Sequence, residues 1–114
     1  MVRKDFSDYI SAETRRLAGF SSEEPRLSLR EGRYLCSAYY GYVNSRKLGV
    51  VIVKSEMSRR RGDGGPWWYL RSIEDADEFF NDESLKQLIS ETVGRKIYRV
   101  AGRDLEEAIK GIVK

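Results

Sequence analysis

Histidine is absent from this chain of 114 residues, cysteine occurs once, and Asn44, Asn81 and Gln87 are its only side-chain amides. Without histidine there is no Ser-His-Asp triad and no Cys-His pair. With Cys36 alone there is neither an intrachain disulfide nor a cysteine-and-histidine zinc site within one chain. Enzyme chemistry is thereby confined to Asp or Glu with a hard cation such as magnesium, or to Tyr, Lys and Arg without a metal. No apolar run approaches the ~20 residues that cross a bilayer, and Met1-Val2-Arg3-Lys4-Asp5 does not lead into a signal-peptide core. The expectation is a soluble, cytoplasmic protein with no membrane partner and no cofactor, built as a single domain over 1–114 that is long enough to bury a core.

What is present is charge. Charged residues make up 34% of the chain, the formal net charge is +3 and the pI is near 9.1. High charge with few thermolabile amides is the composition of thermophile proteins. The distribution says more than the sum. Lys54 to Arg71, KSEMSRRRGDGGPWWYLR, carries Lys54, Arg59, Arg60, Arg61 and Arg71 against Glu56 and Asp63, whereas Ser72 to Thr92 carries one basic residue against seven acidic ones. A polyanion is attracted to the first stretch and repelled by the second.

Both tryptophans follow the basic run after five residues, as Trp67-Trp68-Tyr69. Arginines neutralise phosphates and release counterions, while unpaired bases stack on rings at about 1–3 kcal/mol per base. The plainer reading is that these rings are core. If Trp67 to Ile73 is a strand, Trp67, Tyr69, Arg71 and Ile73 share one face and Trp68, Leu70 and Ser72 the other, so one tryptophan is core and its neighbour is not. Gly62-Asp63-Gly64-Gly65-Pro66 joins the basic and aromatic halves. It lacks the Gly-Lys-Ser/Thr that opens a P-loop helix, which argues against nucleotide hydrolysis of that kind.

The hydrophobic pattern predicts a helix over 3–18 with Phe6, Ile10 and Leu17 on one face, and strands over 26–30, 33–43 and 48–55. A short helix then follows from Ser72 to about Phe80, and a second with Leu85, Leu88, Ile89 and Val93 as its stripe. A strand over 95–100 and a last helix from about Asp104 complete the chain. The fold class is α+β: an antiparallel sheet of four or five strands backed by about four helices. Strands two and three form a β-hairpin. With Ser45-Arg46 as its turn, Tyr42 faces Gly49 and Tyr40 faces Val51. Strand two is apolar on both faces, so it is either buried twice over or turns Tyr40 and Tyr42 into a groove beside Trp67. The carboxylates Glu74, Asp75, Asp77 and Glu78 favour a helix dipole rather than forming a metal site.

With its helix-and-sheet order, thermophile-like composition and basic residues around Trp67-Trp68-Tyr69, the chain resembles the ThermoDBP-related proteins, single-stranded-DNA-binding proteins of thermophilic archaea. The resemblance implies binding of single strands without sequence preference in a basic, aromatic cleft, and self-association as a dimer or larger homo-oligomer. It makes Trp67, Trp68 and Tyr69 stacking candidates and Arg59, Arg60 and Arg61 phosphate candidates. Lys54, Arg71, Tyr40 and Tyr42 join them from the residue pattern itself.

Single-stranded DNA binding without catalysis is therefore the leading expectation, with RNA as an open alternative because no residue declares a contact to the 2′-hydroxyl. A small nuclease is the second, either a histidine-free ribonuclease of the RelE-toxin kind or a magnesium enzyme. The latter would have only Glu56 and Asp63 near the basic region. In the third, the aromatics form an oligomer interface and the arginines are surface charge.

Overall fold

A computed structural model describes residues 9–20, 25–42, 48–56, 66–74 and 81–113. The described chain is α+β. Helix α1 (Ala12–Leu17) precedes strands β1 (Leu27–Glu31), β2 (Tyr34–Tyr42), β3 (Leu48–Glu56) and β4 (Trp67–Ile73), and helix α2 (Asp82–Thr92), strand β5 (Arg99–Val100) and helix α3 (Leu105–Val113) follow. The five strands form one antiparallel sheet in the order β1-β2-β3-β4-β5, each beside its neighbour in sequence. None of the described helices is long and apolar enough to cross a membrane.

Local chemistry explains the element ends. Ser11 caps α1, its hydroxyl accepting from the Thr14 amide at 3.2 Å, and Asn81 caps α2 by accepting from the Ser84 amide at 2.8 Å. Each side chain satisfies an amide that the first helical turn leaves without a carbonyl. Past α2, Gly94 takes a φ of +96°, a left-handed conformation that costs glycine no Cβ clash. Gly32, with a φ of +60°, takes the first central position of the two-residue turn between Glu31 and Tyr34.

Strand alternation then divides the apolar residues between two cores. On one face Cys36, Ala38, Val50, Ile52 and Tyr69 pack against Leu85, Leu88 and Ile89 of α2. On the other, Tyr39, Val51 and Trp68 pack against Ile10, Ala18 and Phe20 around α1 and Leu105 and Ile109 of α3. The sheet is thus covered on both sides, which is why β2 reads as apolar on both faces. Three helices lie among the described residues where about four were expected. The helix predicted from Ser72 to about Phe80 is corrected at its start, because β4 runs on through Ser72 to Ile73, and its remainder over 75–80 lies outside the described part.

Three further expectations are corrected. The helix predicted over 3–18 does not run unbroken: Ser11 opens a separate helix over Ala12–Leu17, and residues 3–8 lie outside the described part. Because Ser11 starts that helix, Thr14 and Ala18 face inward and Leu17 is 59% exposed. The strand predicted over 95–100 shrinks to Arg99–Val100: a 3₁₀ turn over Lys96–Tyr98 ends the alternation and leaves Ile97 78% exposed. Finally, Tyr40 pairs with Val50, Gly41 with Gly49 and Tyr42 with Leu48. The connection between β2 and β3 is the five residues 43–47, an odd count, so the register lies one residue from the one that a Ser45-Arg46 turn gives. Such a slip exchanges the faces of a whole strand.

Gly41, which pairs with Gly49, lets the Phe20 ring approach the sheet. A Cβ on Gly41 would collide with the Phe20 ring. Gly41→Ala is therefore expected to destabilise the fold by about 1–3 kcal/mol, the usual cost of overpacking. A urea titration followed by far-ultraviolet circular dichroism reads this as a lowered midpoint at unchanged slope.

Glu106 of α3 ties the two helices of the second face together. Its Oε1 accepts from the Ser11 amide at 2.8 Å, across 95 residues of sequence. Hydrogen bonds from the Ser11 side chain and backbone, with Thr14, hold its carboxyl down at about 2, against an ordinary 4.5. A lowered carboxylate pKa stabilises the folded state fully above the unfolded value, and the contribution is lost as pH falls through the folded one. Stability is expected to decline between about pH 4.5 and 2 for this reason. Glu106→Gln, which keeps an acceptor but no titrating group, should flatten that part of the pH profile of the urea midpoint.

Candidate functional site

The corrected register decides which residues meet at the end of the α2 face. Tyr34 pairs with Glu56, Cys36 with Lys54, and Lys54 with Trp67. Lys54 therefore projects on the side of Tyr34 and Trp67, whereas a one-residue slip would have sent it to the opposite face. Tyr34 and Trp67 are half-buried and meet edge to face, their ring centroids 5.9 Å apart at 68°.

Cations surround this ring pair. The Lys54 ammonium lies 4.3 Å from the Tyr34 ring centre and 5.7 Å from that of Trp67. The Arg99 guanidinium, brought in by the pairing of β5 with Tyr69, is 5.9 Å from the Trp67 ring. Arg33 sits 5.4 Å from the Tyr34 ring and donates through Nη2 to the Tyr34 hydroxyl at 3.3 Å. Its Nε is 3.4 Å from Oε1 of Glu56, whose side chain is only 14% exposed. The hydrogen bond to Tyr34, with the charge influence of Tyr34 and Glu56, raises the Arg33 pKa further above its ordinary value. Lys54 and Arg99 have no carboxylate within ion-pair distance among the described residues.

Farther along the same face, Arg71 stacks 4.1 Å from the Tyr98 ring centre and donates to Thr92 Oγ1 at 2.8 Å. Thr92 in turn donates to the Leu88 carbonyl at 2.6 Å. Between these stations lies Tyr69, whose hydroxyl accepts from the Gly94 amide at 3.4 Å.

Of the expected site residues, Lys54 and Trp67 come together and Arg71 lies on the same face. Trp68 and Tyr69 are corrected: at 2% and 3% exposure they are core residues of opposite faces, and neither ring offers a surface on which a base could stack. Tyr40 is half-buried and packs against the α2-side core, because α2 covers the part of the face where a tyrosine groove was expected. The Tyr42 side chain and Arg59, Arg60 and Arg61 lie outside the described residues. Tyr34, Arg33, Arg99 and Tyr98 were missed. Counting the β2–β3 connection as five residues instead of a two-residue turn would have placed Lys54 on the face of Tyr34.

Cys36 is fully buried, and burial, the largest cause, together with Glu31 pushes its thiol pKa up, so it does not supply a nucleophile. No group of three or more Cys, Asp or Glu residues that could hold a metal occurs among the described residues.

Fold and site together define an α+β domain with an antiparallel five-stranded meander and a half-open ring-and-cation patch at one end of the sheet. Compared with family models, curated proteins and solved structures, the chain gives no significant match to any.

Proposed function

We propose that the protein binds single-stranded DNA without sequence preference, with Tyr34 and Trp67 as stacking surfaces and Lys54, Arg99 and Arg33 as phosphate ligands. The observation that carries this reading is the half-open Tyr34–Trp67 pair, flanked by Lys54 and Arg99 that no described carboxylate neutralises. Magnitudes favour exchange on binding. A cation over an exposed ring contributes about 0.5–1 kcal/mol, whereas a stacked base is worth about 1–3 kcal/mol. A base can therefore displace Lys54 from the Tyr34 ring, and the freed ammonium then meets a phosphate in a charge-assisted hydrogen bond.

Arg59, Arg60 and Arg61, which stand between Lys54 and Trp67 in the sequence, join the reading as phosphate ligands on that ground alone. Single-strand binding is also what the resemblance to the ThermoDBP-related proteins implies, as is self-association.

The test is fluorescence anisotropy of labelled oligo-dT, oligo-U and duplex DNA at about 50 and 200 mM salt. Three phosphate contacts on a single strand give a salt slope of about −2, a loss of about twentyfold across that range. Tight duplex binding, or affinity indifferent to salt, would overturn the proposal. The same strands, recovered after incubation with and without magnesium, report whether the protein cuts them. Sedimentation of the protein alone and with oligo-dT reports self-association.

A further inference from the structure

The binding patch accounts for Tyr34, Lys54, Trp67 and Arg99 but leaves an oriented ring farther along the same face. Tyr98 is half-buried, and one side of its ring is stacked by the Arg71 guanidinium at 4.1 Å. Arg71 is held by Thr92, and Thr92 by the Leu88 carbonyl of α2. A hydrogen-bonded line thus runs from a buried helix end to the ring. Thr92 is fully buried and Leu88 nearly so, which makes the line a rigid support. Arg71 has no carboxylate partner among the described residues. Its charge is favoured where it stands by the C-terminal end of α2, which has no basic residue in its last turn.

Tyr98 precedes Arg99 in the chain, and Arg99 reaches Trp67. The two ring stations are therefore linked by a cation along the β4–β5 edge. Trp67 and Arg71 stand four residues apart on β4, about 13 Å at strand rise. That distance is about four nucleotides of a stacked single strand, and fewer of an extended one.

We infer that Tyr98 is a second base-stacking residue, positioned by Arg71, and that a bound single strand runs from the Tyr34–Trp67 pair past Arg99 to Tyr98. The inference rests on the proposed single-strand reading and specifies the path and length of the ligand. It predicts that affinity rises with oligonucleotide length until both stations are occupied.

The experiment measures binding of dT2, dT4, dT6 and dT8 to the wild type, Tyr98→Leu, Arg71→Gln and, as a control on the other side of the molecule, Arg16→Gln. Tryptophan fluorescence and anisotropy are the readouts. Tyr98→Leu keeps an apolar side chain against the core, and Arg71→Gln keeps a donor for Thr92. Both are expected to leave dT2 binding within twofold of wild type and to weaken dT6 and dT8 at least about fivefold, the lower end of one stacked base. Arg71→Gln should leave the salt slope for dT8 unchanged, because Arg71 positions the ring and is not a phosphate ligand. Arg16→Gln should match wild type at every length. Equal affinity of Tyr98→Leu and wild type for dT8 would overturn the path, as would an equal loss on dT2 and dT8. Failure of the wild type to bind any length would instead overturn the single-strand reading itself, and the path with it.

Discussion

Trp68→Ala is expected to remove a large share of the stability of the fold. Trp68 is 2% exposed and lies in the core between the sheet and the helices α1 and α3. Its ring meets Tyr9 at a centroid distance of 4.8 Å and an interplanar angle of 57°. Gly102, whose added Cβ would come within 2.6 Å of the Tyr9 ring and 3.4 Å of Trp68 Nε1, lets the backbone approach this pair. Deleting a buried tryptophan side chain costs about 3–5 kcal/mol, partly lost transfer energy and partly the cavity left behind. A domain of this size has only about 5–15 kcal/mol in total. Urea denaturation should show a midpoint reduced by about a fifth or more, or no folded baseline at 25 °C. A change below about 1 kcal/mol would mean that the ring is not core.

Trp67→Ala, one residue away, is expected to act on binding rather than on folding. The Trp67 ring is half-buried at the open end of the α2 face, beside Tyr34, Lys54 and Arg99. Truncation removes one stacking surface and the ring against which Tyr34 is held. Affinity for oligo-dT should fall by about 1–3 kcal/mol, or five- to 150-fold. The urea midpoint should shift far less than for Trp68→Ala. The contrast between adjacent tryptophans is the informative quantity, because a general loss of folding would affect both variants alike. A binding loss in Trp67→Ala that is matched by an equal loss of secondary structure would remove the distinction.

That contrast was legible in the sequence. Strand alternation from Trp67 to Ile73 places neighbouring rings on opposite faces, and β4 has those bounds. The capped helix opening at Asn81, with Leu85, Leu88 and Ile89 inward, was equally readable because cap, stripe and terminal glycine agree. Which tryptophan faces outward was not readable, since that depends on where α1 and α3 pack. The residues on either side of Trp68 carry no trace of Tyr9 or Leu105.

The site was half legible for a related reason. Lys54 and Trp67 stood out by charge and aromaticity, but their meeting with Tyr34 depends on hairpin register, and register follows from the length of the connection over 43–47. Arg99 and Tyr98 were hidden by their apparent place in a regular strand over 95–100. The 3₁₀ turn over Lys96–Tyr98 breaks that alternation and brings the Tyr98 ring against the Arg71 guanidinium. Trp68 and Tyr69 were overcounted as stacking residues because composition does not distinguish a buried ring from an open one.

The most direct test of the account is intrinsic fluorescence during titration with oligo-dT, in the wild type, Trp67→Phe and Trp68→Phe. These two tryptophans are the only ones in the chain. The expected result is saturable quenching in the wild type that weakens from about 50 to 200 mM salt, survives in Trp68→Phe and is largely lost in Trp67→Phe. Quenching that persists in Trp67→Phe, or its absence from the wild type together with no mobility shift for oligo-dT or oligo-U, would contradict the placement of a single strand on the Tyr34–Trp67 patch.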